Sequence, residues 1–396
     1  MRKIEGGIEA AGEVYSAGVS AGVKTQGKDL ALIYFPQAAT VAGVFTQNRI
    51  YGHHVKYCRD LLNDYEKFHA VIINSGNANA LNGLEGYDDI GRIVRNLCQK
   101  LPIESEQVLM ASTGVIGERL KLKTMDEGFM QAISELSKED SQAAAEAITT
   151  TDTVIKQVAY EAEIAGKTVR IGGMVKGTRM VHPKMGTMIG VITTNLSLPQ
   201  NFLQRQLIHA VDESFNKMSI DGNTSPNDTV FLCSTDEVEL ELSREVLYHF
   251  SDILTRVCLD LTSMIVADAE KSTKTIEVEV NGALVKSDAT KIAMEIATSS
   301  LVKSSLYENF PDTGRILAAC GRNPDVTIIP HQIAVDIESS KGIVRICEEG
   351  QNEMDNIEAA EEILDDKEVK ISLYLNIGDY SSTVWTCDYE TEQRIN

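Results

Sequence analysis

Lys176-Gly-Thr-Arg-Met-Val-His-Pro-Lys-Met-Gly-Thr187-Met-Ile-Gly-Val-Ile-Thr-Thr194 joins a glycine–threonine pair to an apolar, β-branched run. Pro183 marks a turn before the pair, and Met188–Thr193 has the composition of a buried strand after it. Two readings fit these residues. One is a turn leading into a core strand. The other is a chain that cuts itself between Gly186 and Thr187 and uses the freed threonine as a nucleophile. A threonine hydroxyl is a poor nucleophile until a base sits beside it, and a new α-amino group supplies one from the same residue. An α-amine with a pKa near ~8 suits proton transfer at neutral pH better than a lysine near ~10.4. Gly186 suits the cutting step, because glycine reaches strained backbone angles freely and leaves its carbonyl open to attack.

Further out, Val108-Leu-Met-Ala-Ser-Thr-Gly-Val-Ile-Gly117 reads as a buried strand ending in Thr113-Gly114. A hydroxyl and a backbone N–H at a strand end can both face a developing oxyanion, as acyl transfer requires. A plain strand-end turn fits the same residues. Asn74-Ser-Gly-Asn-Ala-Asn-Ala80 follows the apolar strand Ala70–Ile73 and reads as a tight polar turn. Ser214-Phe-Asn-Lys-Met-Ser-Ile-Asp-Gly-Asn-Thr-Ser-Pro-Asn-Asp228 is rich in Asp and Asn, but the spacing is not that of an EF-hand. A hydrogen-bonded turn is the expectation there.

Taken together these segments resemble the bifunctional glutamate N-acetyltransferase/ornithine acetyltransferase family of arginine biosynthesis, along nearly the whole chain. The cleavage stretch is similar to K-G-x-G-M-x-x-P-x-M-A-T-M-L-G-x-x-T-T. The Asn/Asp-rich block is similar to S-F-N-x-x-S-V-D-G-D-T-S-x-N-D. The resemblance implies self-cleavage at Gly186/Thr187, giving an α chain (1–186) and a β chain (187–396). It implies Thr187 as nucleophile and Thr113 with Gly114 as the oxyanion hole. Thr149-Thr-Thr-Asp-Thr153 resembles the family's T-T-D-T element, which puts Thr153 in a substrate-binding role. Lys176 takes the position of the substrate lysine, and Asp268-Ala-Glu270-Lys-Ser-Thr-Lys274 resembles D-G-E-G-A-T-K, which assigns Glu270 to binding. Asn396 matches the C-terminal binding asparagine. A lysine can hold an α-carboxylate and a glutamate a side-chain ammonium, through charge-assisted hydrogen bonds.

The implied fold is a layered α/β sandwich of the ornithine acetyltransferase/aminopeptidase type, with a smaller C-terminal α/β domain from about 280. The implied reaction is ping-pong transfer of acetyl from N2-acetylornithine to glutamate, with no cofactor, acetyl-CoA as a further co-substrate in some members, and an α2β2 heterotetramer. Several positions depart from the family pattern. Arg179 stands for a glycine, Gly186 for an alanine, Ser300 for a proline and Thr313 for a tryptophan. Such changes motivate one alternative, a paralogous N-acyltransferase with another amine or acyl group; a second, an amidase or aminopeptidase, follows from the fold class, which also hosts self-cleaving hydrolases.

Composition sets limits. A chain of 396 residues with 43% hydrophobic content can bury a full core. A net charge of −21 argues against nucleic acid and anionic membranes as partners. Seven scattered cysteines without a C-x-x-C pair fit reduced thiols. The histidines lack H-x-x-x-H spacing, so no metal is expected. The N-terminus lacks the apolar stretch of a signal peptide, which predicts a cytoplasmic enzyme. β-type runs predict strands over Ala31–Phe35, Ala70–Ile73, Thr168–Ile171, Met188–Thr193, Thr229–Leu232, Thr275–Val280, Gln332–Ile337 and Val369–Leu375. Helical periodicity covers Met125–Thr149, Asn201–Phe215, Arg244–Leu259 and Asn356–Leu364.

Overall fold

The computed structural model describes residues 1–139, 141–182 and 188–389. The described chain divides into two compact units. The first is Met1–Asn216 with Thr224–Ile265, and the second is Lys217–Asn223 with the chain from Val266 onward. The second unit therefore begins nearer 266 than 280 and takes in a short earlier segment.

The first unit is built on one sheet. Its strands are β1 (Arg2–Ile4), β2 (Tyr15–Val19), β3 (Leu30–Phe45), β4 (Lys67–Asn77), β5 (Val108–Val115), β6 (Lys156–Ile164), β7 (Lys167–Lys176) and β8 (Ile189–Leu196). After β9 (Met218–Ser219), which belongs to the second unit, β10 (Thr229–Val238) completes it. The order is β1-β6-β7-β8-β10-β3-β4-β5, with β2 on β3. Alternation gives each strand two apolar faces. Leu30, Leu32, Ala70, Ile72, Val108 and Met110 meet α2 (Glu85–Cys98) and α3 (Leu122–Ser134) on one side. Ala31, Ile33, Val71, Ile73, Leu109 and Ala111 share the other cluster with Cys58 of α1 (His53–Asp64) and Ala144 of α4 (Gln142–Ala147). A sheet buried on both faces explains the near-continuous apolar runs of β4 and β5. No helix among the described residues is long and apolar enough to cross a membrane.

β8 lies inside this sheet, antiparallel to β7 and parallel to β10. Every residue of β8 is buried. Strands from before and after the Gly186/Thr187 bond are thus hydrogen-bonded neighbours in one sheet. The predicted helix over 125–149 is instead two helices. Ser137 leaves the helical path to pair with Ser16, whose N–H and C=O both bond to it at 2.8 and 3.0 Å. α4 then packs so close to β2 that a Cβ at Gly18 would sit 1.8 Å from the Ala143 carbonyl oxygen. Local periodicity could not anticipate that tertiary pairing. α5 (Gln200–Glu213) and α6 (Arg244–Ala267) fall where their patterns placed them, α6 running further.

The second unit carries a sheet ordered β14-β13-β12-β15-β11-β16-β9, from β11 (Thr275–Ala283), β12 (Ala334–Ser339), β13 (Gly342–Glu348), β14 (Gln351–Asn352), β15 (Glu368–Tyr374) and β16 (Tyr380–Cys387). Its helices are α7 (Lys286–Ala297), α8 (Ser300–Tyr307), α9 (Thr313–Cys320) and α10 (Ile357–Leu364). One face is apolar: Val278, Val280, Val335, Ile337, Ile371 and Leu373 pack with Ile292 and Ile296 of α7. Residues 217–223 join this unit through β9, which pairs with β16, and through buried Lys303, which donates to the Ile220 carbonyl. The acidic stretch 348–368 holds α10, as its helical spacing predicts.

Candidate active site

Asn74–Asn77 is not the polar turn expected from its composition; β4 continues through it. Tertiary partners make this possible, because each polar side chain finds a backbone group or neighbour. Asn74 accepts from the Ser112 hydroxyl at 2.7 Å and donates to the Asn77 carbonyl at 2.9 Å. Ser75 donates to the Ala147 carbonyl at 2.6 Å. Asn77 donates to the carbonyls of Glu118 and Arg119 at 3.2 and 3.1 Å. Buried polar groups so satisfied stiffen the strand end rather than destabilise it.

Against this stiff edge lies Thr113-Gly114. Thr113 is 2% exposed, and its hydroxyl makes no hydrogen bond among the described residues. Gly114 has φ of +132°, and a Cβ there would meet the Gly76 carbonyl carbon at 2.3 Å. Only glycine fits that backbone at that distance. Both residues line a cavity of about 720 Å³ with Gly76, Lys24, Lys176 and Arg179. Two of the sequence-predicted groups, the Thr113-Gly114 pair and Lys176, therefore converge on one cavity.

Lys176 ends β7 and is 2% exposed. Burial lowers its pKa, and Asp152 opposes that shift. Asp152 is already engaged. It takes the Lys156 ammonium at 2.7 Å, with both side chains fully buried, and accepts from the N–H groups of Gly177 and Thr150 at 2.8 and 3.0 Å. Burial disfavours its charge, but Lys176 and Lys156 outweigh that and hold its carboxyl below the usual range. Two lysines thus surround one carboxylate, and Lys156 holds the direct contact. Lys176 is left with a buried amine facing the cavity, whose charged form an incoming carboxylate would stabilise. Lys24 lines the same cavity and donates to the Thr149 carbonyl at 3.1 Å. Desolvation lowers its pKa too, against Asp29, Glu146 and Asp152.

Other predicted residues are placed elsewhere. Thr153 is exposed and is not among the cavity's described lining residues, which include its neighbours Thr150 and Thr151. Glu270 is exposed in the turn after α6, in the second unit. Gly186, Thr187 and Asn396 lie outside the described residues.

Description resumes at Met188, and its surroundings are informative. Its N–H donates to Asp228 Oδ1 at 3.1 Å, and its carbonyl accepts from the Thr229 N–H at 3.0 Å. Next to Asp228, Asn227 donates to the carbonyls of Ala78 and Ser112, the latter at 2.7 Å. One loop therefore grips the residue after Thr187 and the residue before Thr113. Behind it, fully buried His54 contacts the Asn227 carbonyl at 3.2 Å and the Thr229 hydroxyl at 3.0 Å. Burial pushes His54 down to about 3, so it is neutral at physiological pH. The sequence marked this block as a turn, but nothing local signalled that Asn227 and Asp228 serve two distant strands.

The model of one family spans nearly all of this molecule: the ArgJ family matches residues 15–394. The chain belongs to the ArgJ family. The arginine biosynthesis bifunctional protein ArgJ of Gloeobacter violaceus is 36% identical over 391 residues, covering 97% of this chain and 95% of that protein. The glutamate N-acetyltransferase of Methanocaldococcus jannaschii is 36% identical over 409 residues, with 100% and 99% covered. Among solved structures, the ornithine acetyltransferase of Mycobacterium tuberculosis complexed with ornithine is 33% identical. It covers 46% of this chain and 97% of its own, with a TM-score of 0.42. The ArgJ family is the one whose motifs the sequence displays.

Proposed function

We propose that the chain is a self-processed N-terminal-threonine acyltransferase of arginine biosynthesis, moving acetyl from N2-acetylornithine to glutamate. The observation that carries the reading is the convergence of Thr113, Gly114 and the buried amine of Lys176 on one cavity, in a member of the ArgJ family. Thr187 Oγ attacks the acetyl carbonyl, and the α-amine of the same residue takes the proton. The Thr113 hydroxyl and the Gly114 N–H stabilise the tetrahedral oxyanion. Deacylated ornithine leaves, and the amine of glutamate then attacks the acyl-threonine. Lys176 holds a substrate carboxylate, with Thr153, Glu270 and Asn396 as further binding residues. The reading calls for no cofactor, and acetyl-CoA is the further donor to be tested. The cut chains assemble as α2β2 in the cytoplasm.

One observation favours a second reading. Arg179, which replaces a family glycine, lines the cavity and adds a cation to it. A paralogue taking another amine or acyl group, with the same acyl-threonine chemistry, accounts for it.

The test is the intact mass of the purified protein under denaturing conditions, beside a Thr187→Ala control. Two fragments meeting at Gly186/Thr187, absent in the control, are expected. An uncut wild-type chain would remove the base and the reading with it. A screen of acyl donors and amine acceptors then separates the two substrate readings.

A further inference from the structure

The wall of the cavity is basic in a chain that is strongly acidic. Among the described residues it carries Lys24, Lys121, Lys176 and Arg179 against Glu118 alone, while the whole chain has a net charge of −21. Two of these basic groups are already committed. Lys121 donates to the carbonyls of Gly22 and Val23 at 3.3 and 3.1 Å, and Arg179 has an interaction partner of its own. Lys176 makes no hydrogen bond among the described residues, and Lys24 makes a single one, to the Thr149 carbonyl. The amines of Lys24 and Lys176 therefore remain to meet what enters.

Lys24 is held by its backbone and by its stem. Buried Asp29 accepts from its N–H at 2.8 Å and from the Ala21 N–H at 2.6 Å, and Lys121 ties down the residues between them. The stem crosses the end of β4 at Gly76, which has φ of +98° and no space for a side chain. A Cβ there would meet Lys24 Cγ at 2.6 Å. Gly76 in turn lies against Gly114, as the 2.3 Å approach described above requires. Lys24, Gly76 and the Thr113-Gly114 strand end thus form one stack beside the cavity. Lys24 and Lys176 repel each other through space, and Asp152 attracts both while Lys156 holds the direct contact with it.

On the reading that acetyl passes from N2-acetylornithine to glutamate, the site holds an amino acid with one carboxylate in the first half-reaction and one with two in the second. We propose that Lys24 is a specificity-determining residue for the acceptor, its Nζ holding the side-chain carboxylate of glutamate while Lys176 holds the α-carboxylate. The division follows from burial. Lys176 is 2% exposed, so its charged form needs a carboxylate in either half-reaction, and the α-carboxylate is common to both substrates. Lys24 is half-buried and within reach of solvent when the acceptor is absent, so standing idle with the donor costs it little. An arriving side-chain carboxylate replaces that solvent with a charge-assisted hydrogen bond.

Glutamine tests the idea, because it carries an uncharged amide of the same shape where glutamate has its second carboxylate. Glutamate and glutamine at equal concentration, with N2-acetylornithine as donor, compete for the same acyl-enzyme. Mass spectrometry reads the ratio of acetylglutamate to acetylglutamine. Wild-type enzyme is expected to favour glutamate by about 10–100-fold, the worth of a hydrogen bond to a charged group. Lys24→Met should lower that ratio by about tenfold or more, and Lys24→Arg, which keeps the charge, should retain most of it. A merely structural Lys24 would slow both products alike and leave the ratio where it was. That result, or a wild-type enzyme without preference, would overturn the proposal. Should Lys24→Met not fold, Lys24→Gln makes the same comparison with a donor kept for the Thr149 carbonyl. A wild-type enzyme that acetylates neither amino acid is a different failure, that of the transfer reading, and the proposal falls with it.

Discussion

The two units each carry a sheet, and they differ in how the charges around it are partnered: buried Lys303 of the second unit donates to the Ile220 carbonyl, whereas Lys176 of the first makes no hydrogen bond among the described residues. In the second unit the face opposite the apolar cluster stays partly open to solvent. There Lys370 of β15 sits 3.4 Å from Glu277 and 3.0 Å from Glu279 of β11, and each side chain is about a third exposed. These are cross-strand pairs of the kind that contribute little and cost little. In the first unit both sheet faces are covered, and charge is nevertheless brought inside. Lys156, Asp152, Lys176, His54 and Asp228 are all largely or wholly buried beside the cavity or the Met188 strand. Among them Lys176 lines the cavity without a hydrogen bond among the described residues, and such a group marks where a substrate is expected. The contrast separates a sheet that carries structure from a sheet that carries chemistry.

That contrast can be broken by substitution, and the largest effect belongs to the oxyanion pair. Thr113→Val keeps the side-chain shape and removes one donor. It should lower kcat by about 10²–10³ with little change in melting temperature. Steady-state kinetics beside a thermal melt would decide; a large loss of stability with intact kcat would make Thr113 a core residue instead.

Of intermediate size is the cost of burying His54. Its folded pKa is about 3 against an ordinary 6.5, so below pH 6.5 the unfolded chain binds a proton that the folded one does not. The contribution is complete above 6.5 and falls as pH drops toward 3, by up to roughly 1.4 kcal/mol per pH unit. Urea denaturation between pH 4.5 and 7.5 should show this slope, and His54→Gln should flatten it. An unchanged slope in the variant would assign the acid sensitivity to other groups.

The smallest effect belongs to the second unit. Lys370→Met should change stability by about 0.2–1 kcal/mol and leave self-cleavage untouched. A loss of several kcal/mol would mean that the open face is as demanding as the closed one, and the comparison would fail.

Much of this organisation is legible in the residues. The family motifs and the Thr113-Gly114 pair stand in the sequence, and short apolar, β-branched runs located β3, β4, β8, β10, β11 and β15. These are local signals, since a strand's two faces follow from neighbouring residues alone. Where local signals misled, a distant partner was responsible. Asn74–Asn77 has turn composition, yet Ser112 and Ala147 satisfy its polar groups and the strand goes on. Ser137 pairs with Ser16 and splits a helix that its own neighbours would have continued.

By itself the sequence determined the family, the strand cores and which residue types are available for acyl transfer. Only the tertiary structure decided which charges lose their water. Lys176 and Lys370 are the same residue type on strands of similar make. One ends beside a carboxylate that Lys156 already holds, the other between two glutamates at the surface. Burial and partnership are sums over atoms far apart in the chain, and the desolvation that tunes Lys176, His54 and Asp228 arises only when those atoms meet.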